Sequence, residues 1–159
     1  TSASRRSTRS WSRWTASIRI RTSSSSPRPI ARTFWTRLSC DRAGLIAECS
    51  GENLFTVSNG RITTPPLHAG ALEGITQHTV TRLLGDMGHE VVEGNLVRSD
   101  LYTADEAFLV GTAAEVSAVN SVDDRPIACP GAITTELAER YANVVRGGDD
   151  AYLHWVERP

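Results

Sequence analysis

Lysine is absent from this sequence: all 17 basic residues among its 159 positions are arginine. A guanidinium stays protonated and forms no useful imine, so no side chain here can serve chemistry that runs through a free amine. Cysteine is scarce. Cys40, Cys49 and Cys129 follow no regular spacing, which argues against a disulfide framework and leaves a reducing cytoplasm as the expected setting. His68, His78, His89 and His154 show no metal-ligand spacing, and no metal is expected. No apolar run has the length of a membrane span, and no hydrophobic core follows Arg5-Arg6. Membrane insertion and a secretory or twin-arginine signal are therefore not expected.

One stretch lacks more than the rest. Residues 1–40 hold nine Arg, eleven Ser, six Thr and three of the four Trp, but no Asp, Glu, Gly or Val. Residues 41–159 carry eight Arg and all eighteen acids. The near-neutral total thus joins a leader of +9 to a remainder of −10, and the shift marks a boundary at residue 40. Such a leader cannot bury enough apolar surface to offset chain entropy, so it is expected to lack stable structure. Three readings of it compete: an organelle transit peptide, a basic arm for nucleic acid, and a translation artefact.

The chain beyond the leader has the length and pattern of one domain with a real core. Leu45 to Glu48 and Asn53 to Val57 read as short strands split by a Ser-Gly kink. Asn59-Gly60 is a hairpin turn, with Arg61 to Thr64 as the return strand before Pro65-Pro66. Gly74-Ile-Thr76 opens a helix on which Val80, Leu83, Leu84 and Met87 recur at helical spacing, and Gly88 stops it. His89 to Asn95 alternates weakly as a strand, and Ser99-Asp100 caps a single turn through Ala104. Ala107 to Val110 is an apolar strand. Val116 to Val122 and Arg125 to Ile127 pair around Asp123-Asp124. A last helix runs from about Thr134 to Arg146, with Ile133, Leu137, Tyr141, Val144 and Val145 as its apolar face, and residues 147–159 form a tail. Strands mixed with helices place the domain in the α/β (α+β) class.

Three segments stand out in order: Glu48-Cys-Ser-Gly-Glu-Asn-Leu-Phe55, Leu72-Glu-Gly-Ile-Thr76 and Gly111-Thr-Ala-Ala-Glu115. With Thr64-Pro-Pro66 between them, they resemble the second half of a class IV aminotransferase, a pyridoxal 5'-phosphate (PLP) enzyme. Leu101-Tyr-Thr-Ala-Asp-Glu-Ala-Phe108 is similar to the branched-chain amino acid subfamily. D-amino-acid aminotransferases and aminodeoxychorismate lyases share the fold and cofactor and are the enzymatic alternatives. The resemblance covers Asp41 to about Arg146. It implies the C-terminal domain of the D-amino-acid-aminotransferase-like PLP fold, a mixed β-sheet or pseudo-barrel with flanking helices, over residues 41–146.

The resemblance also implies roles. Glu48 would keep the PLP ring nitrogen protonated, which makes the ring an electron sink; taken alone it would be a strand-end carboxylate facing water. Leu72 would pack on the ring, or simply in the core. Gly74, Ile75 and Thr76 lie at a helix start, where free N–H groups and the helix dipole suit a phosphate, although a Gly-x-Thr cap is common. Thr112 would bond the phosphate, and the backbone of Thr112 and Ala113 would meet the substrate carboxylate. The family follows the Leu72–Thr76 loop with Arg or Lys, whereas this sequence has Gln77. Cys49, Tyr102 and His154 read as structural.

Two things that the resemblance requires are missing from the sequence. One is the Schiff-base lysine, expected near Trp14; the other is the small N-terminal domain that brings an arginine to the phosphate. No catalytic residue can therefore be assigned. The leader has an explanation. If Arg32 to Cys40 is written with codons ending in G or C, sliding the frame back one base gives Asp-Val-Leu-Asp-Glu-Ala-Val-Leu, an acidic turn and apolar strand where the family has one. This expectation of a frameshifted, truncated enzyme is tested by sequencing the gene across the codons for Leu38 to Arg42. On that reading the partners are amino acid and 2-oxo acid substrates and a second copy of the intact enzyme, with no nucleic acid or membrane. The rival from another class is a non-catalytic domain that binds a phosphate compound or a partner chain.

Overall fold

Asn59 and Gly60 both take positive φ, 51° and 76°, which is the backbone twist a two-residue hairpin needs. They join β4 (Asn53–Ser58) to β5 (Arg61–Thr64). The computed structural model describes residues 15–20, 33–41 and 43–156. Before the hairpin lie β1 (Thr15–Ile20), β2 (Thr33–Cys40) and β3 (Ile46–Cys49). After it come helix α1 (Ile75–Asp86), β6 (Val91–Glu93), a short helix α2 (Arg98–Thr103), β7 (Glu106–Gly111), β8 (Glu115–Val122), β9 (Arg125–Pro126) and helix α3 (Ala132–Val145). Among the described residues the strands form one mixed sheet in the order β3-β2-β1-β8-β7-β4-β5-β6, with β9 paired to β8. The α/β class is as expected.

Alternation along the central strands separates two cores. Leu54 of β4 and Ala107 and Leu109 of β7 face one side, with Ile18, Leu38, Ile46, Leu96 and Leu101. Phe55, Val57, Phe108 and Val110 face the other, covered by Val80, Leu83 and Leu84 of α1 and by Leu137, Tyr141 and Val144 of α3. Phe55 and Phe108 are directly opposite in register, and their rings stack at 5.0 Å.

The expectation for residues 1–40 needs correction at two places. Thr15–Ile20 and Thr33–Cys40 are strands, and β1 lies between β2 and β8, parallel to both. Composition misleads here because the polar groups find partners inside the sheet. Ser17 Oγ donates to Asn120 Oδ1 at 2.6 Å, and Ser121 Oγ donates to Ser17 Oγ at 2.8 Å. Thr36 Oγ1 donates to Glu52 Oε2 at 2.8 Å, while Ala16, Ile18 and Leu38 are buried. Trp14 and the remaining leader positions lie outside the described residues.

Smaller differences have local causes. The cap of α2 is Val97, whose N–H is accepted by Asp100 Oδ2 at 2.8 Å, so Asp100 works from inside the helix. Val145 is exposed rather than part of the apolar face of α3. The expected tail contains a 3-10 helix, Asp150–Trp155, that buries Tyr152 beside α3. Asp123 and Asp124 both adopt positive φ in the turn before β9. Tyr102 braces that turn, its hydroxyl donating to Asp123 Oδ2 at 2.7 Å under the Arg125 guanidinium. No helix among the described residues is long and apolar enough to cross a membrane.

Candidate active site

Three loops leave the sheet at one end because of strand register. Asn53 at the start of β4 pairs with Val110 near the end of β7. Thr64, the last residue of β5, donates its hydroxyl to Leu54 O at 2.9 Å. The connection before β4, the loop into α1 and the β7–β8 turn therefore share one rim.

Glu48, half-buried near the end of β3, reaches the α1 loop directly: its Oε2 accepts the Leu72 N–H at 2.8 Å. The Leu72 carbonyl is held from the other side by Asn53 Nδ2 at 2.8 Å. With its peptide fixed at both ends, Leu72 still leaves its side chain 69% exposed. Gly74 is the N-cap of α1, and a Cβ there would overlap Asn53 Oδ1. Ile75, at 87% exposure, and buried Thr76 begin the helix, where first-turn amides have no intrahelical acceptor.

Gln77 is more than a departure from the family pattern. It is buried; its Oε1 accepts the Gly74 N–H at 3.4 Å and its Nε2 donates to Thr64 Oγ1 at 3.3 Å. A longer Arg or Lys could not close this loop-to-strand link in the same way. Its position three residues after the N-cap is a readable signal for it.

The second loop closes against the first connection. A Cβ on Gly111 would come within 2.9 Å of Gly51 O, so only glycine allows this approach. Thr112 and Ala113 are exposed, and Ser117 Oγ ties the turn by donating to Ala114 O at 2.7 Å. Glu115 sits at φ 51°, a strained setting for a non-glycine residue. Tyr141 of α3 is buried in the core beneath α1. Burial pushes its phenol up, a hydrogen bond with Thr76 pulls it down, and the Glu115 charge raises it again. Sequence reasoning assigns no site role to Asn53, Gln77, Glu115 or Tyr141. For Tyr141 the signal is a hydroxyl on an apolar helix face, which needs a partner.

The cluster thus joins Glu48 to Leu72, and Leu72 and Gly74 to Asn53. Thr112 and Ala113 approach it through Gly111 and Glu115. The free first-turn amides of α1, the Glu48 carboxylate and the exposed Leu72 side chain have the chemistry to hold a flat, phosphorylated cofactor. No lysine stands anywhere in the sequence to anchor one. The model of the family described as "Amino-transferase class IV" matches residues 30–122. The chain belongs to the class IV aminotransferases. The class IV match begins eleven residues before Asp41, so it takes in β2, and it ends with β8.

Among curated relatives, a "Probable branched-chain-amino-acid aminotransferase" of Aquifex aeolicus is 47% identical over 116 residues, covering 71% of this chain and 37% of its own length. The branched-chain-amino-acid aminotransferase of Escherichia coli K12 is 37% identical over 124 residues, covering 76% and 40%. Two solved structures superpose with a TM-score of 0.73, each over 76% of this chain and 40% of its own. One is the branched-chain aminotransferase of Thermoproteus uzoniensis with norvaline, at 43% identity. The other is a mutant of the branched-chain amino acid aminotransferase of Thermobaculum terrenum, at 40% identity. This class IV chain therefore spans about two fifths of the length of these relatives.

Proposed function

We propose that the chain forms the cofactor-holding part of a PLP-dependent aminotransferase that exchanges amino groups between branched-chain amino acids (Leu, Ile or Val) and 2-oxoglutarate. The observation that carries this is the single rim on which Glu48, Leu72 and the start of α1 meet, in a class IV chain whose relatives named above are all branched-chain enzymes.

PLP, when bound, supplies an electron sink for carbanion chemistry. The residues of the chain divide the rest of the work. Glu48 holds a proton at the ring nitrogen with its carboxylate, and Leu72 covers the ring with its exposed side chain. The Ile75 and Thr76 amides, the Thr76 hydroxyl and the α1 dipole bind the phosphate, joined by the Thr112 hydroxyl. Backbone N–H groups of Thr112 and Ala113 receive the substrate carboxylate, and Gly111 lets their turn close against Gly51. None of the 159 residues as given supplies the side-chain amine that would anchor the cofactor and move the proton, because arginine cannot replace lysine. A shifted reading frame upstream of Asp41 accounts for that loss. The chain as given is then inactive as a transaminase and holds PLP weakly; the intact enzyme works as a homo-oligomer in the cytoplasm.

The gene provides the first test: a frame corrected upstream of Asp41 should restore a lysine. That product should form glutamate from leucine and 2-oxoglutarate, and Glu48→Ala should remove most of its turnover. Full activity in Glu48→Ala would refute the role of Glu48. For the 159-residue chain, PLP followed by borohydride should leave no stoichiometric adduct by mass. An adduct together with leucine-dependent glutamate formation would overturn the claim of inactivity.

A further inference from the structure

Asn53 touches the α1 loop at two points two residues apart. Its Nδ2 donates to the Leu72 carbonyl at 2.8 Å, and its Oδ1 fills the space that a side chain at position 74 would need. Asn53 is itself 6% exposed and fixed at the start of β4 by its pairing with Val110. A side chain anchored in a central strand thus sets both the height of Leu72 and the entry of the chain into α1. Glu48 grips the same residue at its N–H. We propose that Asn53 is a positioning residue for the cofactor: it fixes where Leu72 lies over the ring and how the Ile75 and Thr76 amides face the phosphate. The proposal rests on the reading of Leu72–Thr76 as a PLP cradle.

The geometry makes asparagine specific. Aspartate keeps the shape but cannot donate to the Leu72 carbonyl and sets a carboxylate oxygen against it. Alanine removes both contacts. Glycine at 74 follows from Asn53 rather than from backbone conformation, since Gly74 has φ −83° and ψ 135°, which any residue adopts. Gly74→Ala should therefore be harmful beside Asn53. It should be much less so in the double variant Asn53→Ala/Gly74→Ala, where the amide no longer occupies that space.

The experiment measures non-covalent PLP binding to the 159-residue chain by equilibrium dialysis, with inorganic phosphate as a second probe and the circular dichroism induced in the PLP absorption band as a third readout. Asn53→Asp should weaken PLP about tenfold, the worth of one well-made hydrogen bond, and should weaken or invert the induced signal of the PLP that does bind. A purely structural role would lower the melting temperature and leave that signal unchanged. Gly74→Ala should cost affinity in the parent and little in the Asn53→Ala background. Wild-type affinity and signal in Asn53→Asp, or an equal cost of Gly74→Ala in both backgrounds, overturns the proposal. Leu72→Ala and Thr76→Val separate the two levels. If PLP binding depends on them but not on Asn53, the positioning role alone fails. If it ignores them, or if neither probe binds at millimolar concentration, the cradle and the positioning role fail together.

Discussion

Glu106 offers a sharp test of how this domain is held together. The residue begins β7, yet it caps a helix 27 residues further on. Its Oε2 accepts the Thr134 N–H at 2.9 Å and the Thr134 hydroxyl at 2.7 Å, and its Oε1 accepts the Ile133 N–H at 3.2 Å. Both Glu106 and Thr134 are buried, and a Cβ on Gly131 would fall inside the Glu106 carboxyl. The carboxylate therefore fills the N-terminus of α3 as a bound anion would. Hydrogen bonds to a charged acceptor contribute about 1.5–3 kcal/mol each and are not additive. A negative charge at a helix start adds roughly 0.3–1 kcal/mol. Glu106→Ala strips all three donors of their acceptor in a dry site, so a loss of about 3–4 kcal/mol is expected. Glu106→Gln keeps one oxygen and turns an NH2 toward the remaining donors, for a loss of about 2 kcal/mol. Total stability of a domain is about 5–15 kcal/mol, so the glutamine variant should remain measurable. Urea unfolding should show a lower midpoint with an unchanged slope. A glutamine variant within about 0.5 kcal/mol of the parent would refute this account of α3, because surface substitutions already reach that level.

Other outcomes rest on further contacts of the same kind. The Tyr152 hydroxyl donates to Asp86 Oδ2, and with Arg82 it holds the Asp86 carboxyl below its usual range, while Asp86 holds the Tyr152 phenol above its own. The lowered carboxyl stabilises the fold above the ordinary carboxylate range and stops doing so as pH falls through its depressed value; the raised phenol stabilises below its ordinary value and stops as pH climbs through the raised one. Melting curves of Tyr152→Phe should thus fall below the parent at neutral pH and converge with it at both extremes; a pH-independent gap would contradict this. Alkylation of native protein should label exposed Cys40 and half-buried Cys129, and reach Cys49 only in denaturant, since burial keeps that thiol protonated; rapid labelling of all three under native conditions would count against the buried β3. Gly111→Ala should weaken PLP binding to the chain more than it lowers melting temperature, as its Cβ would press on Gly51 O at the rim; unchanged affinity would argue against a cofactor there.

Local sequence chemistry carries much of the fold. Asn59-Gly60, the spacing of Val80, Leu83 and Leu84, and the apolar run before Gly111 are decided within a few residues of themselves, and the strands and helix appear where those signals lie. β1 and β2 are illegible because their pairing is long-range: Ser17 is satisfied by Asn120, more than one hundred positions away. Glu106 as a cap for α3 is illegible for the same reason. The rim shows both cases. Glu48, Asn53, Leu72, Gly74 and Thr76 stand out as a pattern, whereas the bond from Asn53 to the Leu72 carbonyl, 19 residues distant, does not.

The grip of Glu48 on the Leu72 N–H has a consequence for how such a site could be dissected or could drift. One carboxylate oxygen serves the loop, so on the proposed role the same side chain tunes the ring's acidity and sets the height of the residue that roofs it. Removing the charge and removing the brace are separable only by chemistry: glutamine can still accept from Leu72 while offering the ring nitrogen no negative charge. Change at position 48 is thus penalised twice, once in electronics and once in shape, and a compensating mutation could repair only one of them at a time.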